Sequence, residues 1–162
     1  MGTLQNRLMG VFETIAEACV ELDVQLVISL GGETSQESVP KFPGSPLVVG
    51  YAPQLELLQR ASLTITHAGL NTALESISYG VPMVAIPITN DQPGVAARIS
   101  WTGCGEMVKL SGLNVPKLRI AIKRVLMQES YRNNAIRLQT ANQQAGGVVS
   151  AADIIEQVEA LV

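Results

Sequence analysis

No run of about 18 uninterrupted apolar residues, the length a membrane-spanning helix needs, occurs in this 162-residue chain. Cysteine is nearly absent: Cys19 and Cys104 stand far apart, and His67 is the only histidine. That excludes a disulfide framework and a Cys/His zinc cluster. The three aspartates, Asp23, Asp91 and Asp153, form no Asp-x-Asp pair of the kind that holds a metal–diphosphate. Basic residues are also scarce, 11 against 14 acidic ones for a net charge of −3. A general nucleic-acid grip needs a basic surface and is excluded. What the chain has in plenty is apolar residues, 47%, with only 15% charged, which rules out a disordered segment and promises a sizeable core. Residues 1–22 are amphipathic rather than signal-like. The expectation is one soluble, cytoplasmic domain spanning 1–162.

Leu4, Leu8, Val11, Phe12, Ile15, Cys19 and Leu22 recur at spacings of three and four, with Glu13, Glu17 and Glu21 turned outward, which predicts an amphipathic helix over 4–22. The run 25–30 (QLVISL) ends at Gly31-Gly32 and reads as a buried strand. Residues 33–46, with three prolines, read as a surface loop. Strand and helix then alternate: strand 47–50, helix 54–61, strand 63–66, helix 70–79, strand 83–87, helix 92–101 and strand 106–109. Helices near 114–127, 130–144 and 150–162 complete the chain. Asn114 with Pro116, and Ser150 with Asp153, are helix-start signals. Short apolar strands separated by helices imply an α/β fold, a three-layer Rossmann-like parallel sheet of about five strands with helices on both faces.

Ligands bind such sheets at the carboxyl ends of the strands. His67-Ala-Gly-Leu-Asn-Thr72 follows the strand 63–66 and opens a helix. Gly69 lets the backbone approach a ligand closely, and the helix start favours an anion, with Asn71 and Thr72 adding side-chain donors. His67 there can donate to phosphate oxygens and offset charge on a departing diphosphate. The segment alone is equally compatible with a plain helix cap, Thr72 and Glu75 forming a Thr-x-x-Glu capping box. Asp91 and Gln92, after strand 83–87, offer acceptors and donors for vicinal sugar hydroxyls, although Asp91 before Pro93 also reads as a helix start. Tyr51-Ala-Pro-Gln54 ends strand 47–50, where an aromatic either stacks on a base or packs at the rim. Gly80-Val81-Pro82 is a helix stop.

There is no phosphate-binding G-x-x-x-x-G-K-[ST] loop and no Gly-x-Ser-x-Gly elbow. Gly103 and Gly105 precede a strand instead of following one, which sets aside a dinucleotide-binding oxidoreductase.

Taken together, Tyr51-Ala-Pro-Gln54, His67-Ala-Gly-Leu-Asn-Thr72, Glu75, Gly80-Val-Pro82, Pro87 and Asp91-Gln92 resemble the donor-binding signature of family-one UDP-sugar-dependent glycosyltransferases of GT-B fold. The likeness extends to bacterial carotenoid glucosyltransferases and covers the whole chain as that family's C-terminal half. It implies that Tyr51 takes the place of the aromatic stacking on uracil, Trp in plant members, with Gln54 against the same base. Glu75 would hold the ribose hydroxyls, Asn71 and Thr72 the α-phosphate side and His67 the β-phosphate, with the backbone at Gly69 close by. Asp91 and Gln92 would hold the donor sugar. The implied chemistry is an inverting, single-displacement transfer of a hexose from a UDP-sugar to a hydroxyl of a small or lipophilic acceptor. Neither a metal nor a cofactor is required. The general base would belong to an N-terminal acceptor-binding domain, so no catalytic residue is assigned in this chain, and the isolated chain is expected to be inactive. A lipophilic acceptor would make the protein peripheral to a membrane.

Family members begin this half with a strand that is central in the sheet and runs into a Gly-Ser or Gly-Thr loop. This chain begins Met1-Gly2-Thr3, so the first family strand is missing and Thr3 is a doubtful phosphate contact. The expectation is that the gap closes by direct strand pairing, or that another chain contributes and forms a homodimer. Two alternatives to an enzyme half are a non-catalytic UDP-sugar-binding remnant and the soluble half of a split glycosyltransferase.

Overall fold

A computed structural model of the chain describes residues 9–32 and 41–159. In chain order the elements are α1 (Met9–Cys19), β1 (Val27–Ser29), β2 (Leu47–Val49), α2 (Gln54–Leu58), β3 (Thr64–Thr66), α3 (Leu70–Ser78), β4 (Met83–Ala85), α4 (Gln92–Trp101), β5 (Gly105–Met107), a 3-10 turn (Leu110–Gly112), α5 (Val115–Met127), α6 (Glu129–Gln144) and α7 (Gly147–Glu159). Leu4, Leu8 and the Met1-Gly2-Thr3 segment lie outside the described residues, as do positions 33–40 of the expected loop.

All five expected strands form and all pair in parallel, but they build two sheets rather than one. β1 pairs with β2, Val27 opposite Leu47, and β3-β4-β5 form the other sheet, Thr64 opposite Met83 and Met83 opposite Gly105. The expected closure by direct pairing of β1 with β3 does not occur. The reason lies between them: both strands line a cleft of about 540 Å³ whose floor is Ile15 and Cys19 of α1 and Ile122 and Leu126 of α5. α1 and α5 pack beneath this cleft, so the two sheets are joined through helices rather than through a strand pairing.

Period-two alternation on β4 shows how the layers are built. Met83, Val84 and Ala85 are all fully buried. Val84 and Ile86 pack with Val11, Ile15, Leu118, Ile122 and Val125, which come from α1 and α5. Met83 and Ala85 pack the other way, with Ala73 of α3, Ala96 and Ile99 of α4 and Ala135 of α6. Helices therefore cover both faces, as the apolar strands require. Phe12 and Ala16 of α1 turn instead to Ile28 and Phe42 beside the first sheet, so α1 ties the two sheets together. Arg119 of α5 fixes this helix at its end, donating to the Glu17 and Ala18 carbonyls at 2.8 and 3.1 Å and to the Glu21 carboxylate at 2.8 Å. The Glu17 carbonyl also accepts from Val20 N at 3.3 Å, so Arg119 adds to the closing of the last turn.

The helix ends follow local chemistry. Asn114 caps α5 through a bond from Lys117 N at 3.0 Å, with Pro116 in the first turn. At Gly80, φ is +62°, with Gly80 N bonded to Ile77 O and Val81 N to Ser76 O, both at 2.8 Å. This is a Schellman termination, which needs the left-handed residue that glycine supplies. α2 stops at Leu58, short of the expected 61. α7 begins at Gly147, which places Ser150 inside the helix instead of at its start. Among the described residues no helix is long and apolar enough to cross a membrane.

Candidate functional site

The carboxyl ends of the parallel strands converge on one region. Beyond β1 and β2 lies a cleft of about 720 Å³ lined by Ser29, Gly31, Tyr51, Gln54, Asn71 and Glu75, among others. Tyr51, just past β2, is 81% exposed, its ring open to whatever enters. Gln54, the first residue of α2, donates from Nε2 to the Glu75 carboxylate and, at 3.4 Å, to Thr72 Oγ1. Glu75 thus faces the cleft across the start of α3, its carboxylate already holding an amide donor.

That bond decides one alternative. A capping box needs Thr72 before the helix, whereas α3 begins two residues earlier with Gly69 at the cap position and no side-chain cap. Glu75 turns to Gln54, not back to the helix start. The first N–H groups of α3 are consequently left for an external acceptor.

His67 leaves β3 into this helix start. It is 9% exposed, and its Nδ1 is buried without a hydrogen-bond partner among the described residues. Ala68 next to it has φ +63°, a left-handed conformation that costs a non-glycine residue energy, and its N–H bonds back to Thr66 Oγ1 at 3.2 Å. This turn folds the ring over Gly69: a Cβ there would lie 2.6 Å from His67 Nε2. Glycine is needed at 69 for the ring, not for φ. Burial pushes the imidazole below its ordinary 6.5, and the Asp91 carboxylate pulls the other way.

The linkage has a defined sign. The unfolded chain binds a proton at His67 near pH 6.5 that the folded chain resists. The stability carried by neutral His67 is present above that pH and is lost as pH falls through the folded value. Urea midpoints measured from about pH 7.5 down to about pH 5 should therefore fall more steeply for the wild type than for His67→Gln. Equal slopes would show that the ring is not held neutral by burial.

Asp91 and Gln92 are placed differently. Asp91 sits at the N-cap position of α4 without making a cap bond, its side chain exposed. Gln92 is buried, and its Oε1 accepts from Ile88 N at 2.9 Å and Thr89 N at 3.0 Å. Its amide oxygen is committed to shaping the loop that carries Asp91. Neither residue lines the Tyr51–Glu75 cleft; His67 and Thr72 line the cleft between the sheets, which shares Gln54 with it. Ser29 is a lining residue whose only mark in the sequence is its place near the end of an apolar run.

The sequence pattern of the family described as UDP-glucoronosyl and UDP-glucosyl transferase matches residues 8–145. The chain belongs to that family. Among the curated relatives of this chain is a zeaxanthin glucosyltransferase from Pantoea ananas, 38% identical over 160 residues, which takes in 98% of this chain and 37% of the relative. The solved glycosyltransferase of kitacinnamycin superposes with a TM-score of 0.85 at 27% identity, covering 94% of this chain and 40% of its own. Os79 from O. sativa, solved in complex with UDP, superposes with a TM-score of 0.68 at 28% identity over 79% of this chain and 31% of its own. These GT-B neighbours bear out the expected fold class and family. The chain spans about two fifths of the length of such relatives.

Proposed function

We propose that this chain is the donor-binding domain of an inverting UDP-sugar-dependent glycosyltransferase, its partner an acceptor-binding half that supplies the remaining length. The observation that carries this reading is the cleft joining an open aromatic, Tyr51, to the Gln54–Glu75 pair beside the uncapped start of α3. In this reading uracil stacks on Tyr51 and its edge meets Gln54. The ribose hydroxyls displace the Gln54 amide on Glu75, a carboxylate being a strong acceptor for two vicinal O–H groups. The diphosphate lies against the first turn of α3, with Asn71, Thr72 and His67 around it and the bare Gly69 backbone beneath. Asp91 holds a hydroxyl of the donor hexose. Gln92 has its amide nitrogen for another, its oxygen being bonded to the loop.

The acceptor hydroxyl oxygen then attacks the anomeric carbon, the bond to the diphosphate oxygen breaks, and UDP leaves with that electron pair. The acceptor's proton goes to a base on the acceptor half. The charge on UDP meets the positive end of α3 and an N–H hydrogen bond from neutral His67, so this reading requires no metal. The enzyme is cytoplasmic in this reading, and peripheral to a membrane when its acceptor is lipophilic.

Calorimetric titration of UDP and UDP-glucose into 1–162, with EDTA present, tests the reading. Both ligands should bind the wild type, and Glu75→Ala and His67→Ala should each weaken binding, Glu75→Ala by about tenfold or more for the loss of charged hydrogen bonds. A folded sample that takes up neither ligand refutes it.

A further inference from the structure

UDP-sugars divide by charge at the sugar end: a hexose is neutral, whereas a hexuronate carries a carboxylate. Which of the two a site takes depends on the charge already standing where the sugar lies. β3 and β4 are paired, Thr66 opposite Ala85, and each leads from its carboxyl end into a helix. α3 and α4 then pack on the same face of the sheet, Ala73 and Ala96 sharing one core cluster. Their starts stand side by side, about 8–10 Å apart as packed helices are. The first turn of α3 faces the proposed diphosphate position, so the start of α4 lies one sugar beyond it. That place is open: a Cβ on Gly94, in the first turn of α4, would meet nothing within 4 Å.

Asp91 occupies the cap position there, exposed and making no cap bond. The loop that carries it is held from inside. Gln92 Oε1 takes the N–H groups of Ile88 and Thr89, and Asn90 stands at φ +57°. A helix start contributes about half a positive charge, so a full carboxylate on it leaves the position net negative. Glu56 and Glu75, which line the neighbouring cleft, add the same sign. None of the three is paired with a cation among the described residues, where the ion pairs are Arg119–Glu21 and Arg124–Glu106. Lys109 is exposed just past β5, on the same rim. It is the Asp91 carboxylate, however, whose field reaches His67 beside the start of α3.

We propose that Asp91 restricts the donor to neutral hexoses, its carboxylate accepting sugar hydroxyls and repelling a hexuronate from the same position. The proposal rests on the donor-site reading above and narrows it to one class of sugar. A neutral sugar satisfies Asp91 by donating O–H groups, and hydrogen bonds to a carboxylate are the stronger kind. A hexuronate brings a second carboxylate to a position that is already negative. Two like charges about 6 Å apart in a largely aqueous setting lower affinity several-fold.

The test is calorimetric titration of UDP, UDP-glucose and UDP-glucuronate into 1–162 and into Asp91→Asn. That variant keeps the shape of the side chain and loses its charge, and asparagine suits a helix cap as well as aspartate does. At about 20 mM salt the wild type should bind UDP-glucose about fivefold or more tighter than UDP-glucuronate. The gap should narrow at about 0.5 M salt, where screening acts within a few ångströms. Asp91→Asn should bind UDP-glucuronate more tightly than the wild type does, because the bare positive end of α4 then faces it. Equal affinities of the wild type for the two sugars overturn the proposal. So does a preference for glucose that survives both high salt and Asp91→Asn, which would be a matter of shape and not of charge. Tighter binding of UDP-glucuronate that Lys109→Gln abolishes also overturns it and assigns the uronate to Lys109. UDP separates the two levels of the argument. If UDP fails to bind, the donor-site reading falls and this proposal with it; if UDP binds while the sugars are not told apart, the proposal alone falls.

Discussion

Gly105→Ala is expected to cost about 3 kcal/mol or more of folding stability, at the upper end of what overpacking does. A Cβ on this residue of β5 would lie 2.1 Å from the Met83 carbonyl oxygen and 2.7 Å from Ile99 Cγ2. The first contact is with the backbone of β4, and a carbonyl in a ladder cannot swing aside as a side-chain end can. Met83 pairs with Gly105 and also with Thr64, so β5 must part from β4 or the whole three-stranded sheet must shift. α4 loses its seat as well, because Ile99 packs in the same core cluster as Met83 and Cys104. Urea denaturation of the two proteins measures this. A loss below about 1 kcal/mol, the ordinary cost of a point substitution, would mean that the strands are not held this closely.

Gly69→Ala should behave in the opposite way, sparing the fold and damaging the site. Gly69 has φ −61°, which alanine adopts freely, and the atoms its Cβ would meet are His67 Nε2 at 2.6 Å and Cε1 at 2.9 Å. These are the far end of a side chain that can rotate. The ring must leave its place over the helix start, and its proton donor leaves with it. The expected result is UDP affinity reduced about tenfold to a hundredfold, the worth of one hydrogen bond to a charged group, with a urea midpoint close to that of the wild type. Calorimetry and denaturation on the same sample separate the two effects. Unchanged UDP affinity would remove His67 from the diphosphate site.

The difference between these glycines was invisible in the sequence, where both stand in turn-like surroundings. Position along the chain was legible: short runs between turn signals marked all five strands, and Tyr51 and His67, each within two residues of a strand end, do stand at a carboxyl end. Paired motifs were legible because turn and cap chemistry is local, as at Asn114 and Gly80. What failed to show depends on neighbours far away in sequence. Whether β1 meets β3 depends on how α1 and α5 seat the two sheets. Ala68 in a left-handed conformation has no residue-level signal, since alanine is a poor choice for it. The inward turn of the Gln92 amide onto Ile88 and Thr89 depends on a loop conformation set at Asn90, with φ +57°.

α6 carries a row of side-chain amides that ends other helices. Gln139 Nε2 donates to Ser78 O at 2.8 Å and Asn142 Nδ2 to Ser78 Oγ at 2.9 Å, both at the end of α3, while Asn134 Nδ2 reaches Gly103 O at 3.2 Å just past α4. The helix whose start faces the proposed diphosphate position is therefore tied at its other end by residues 61 and 64 positions further along. A ribosome adds residues at about 5–20 per second, so α3 waits several seconds for those ties after it emerges. During that interval the first turn of α3 exists without its far anchor, and the nascent chain gains a firmly held α3 only after α6 has been made.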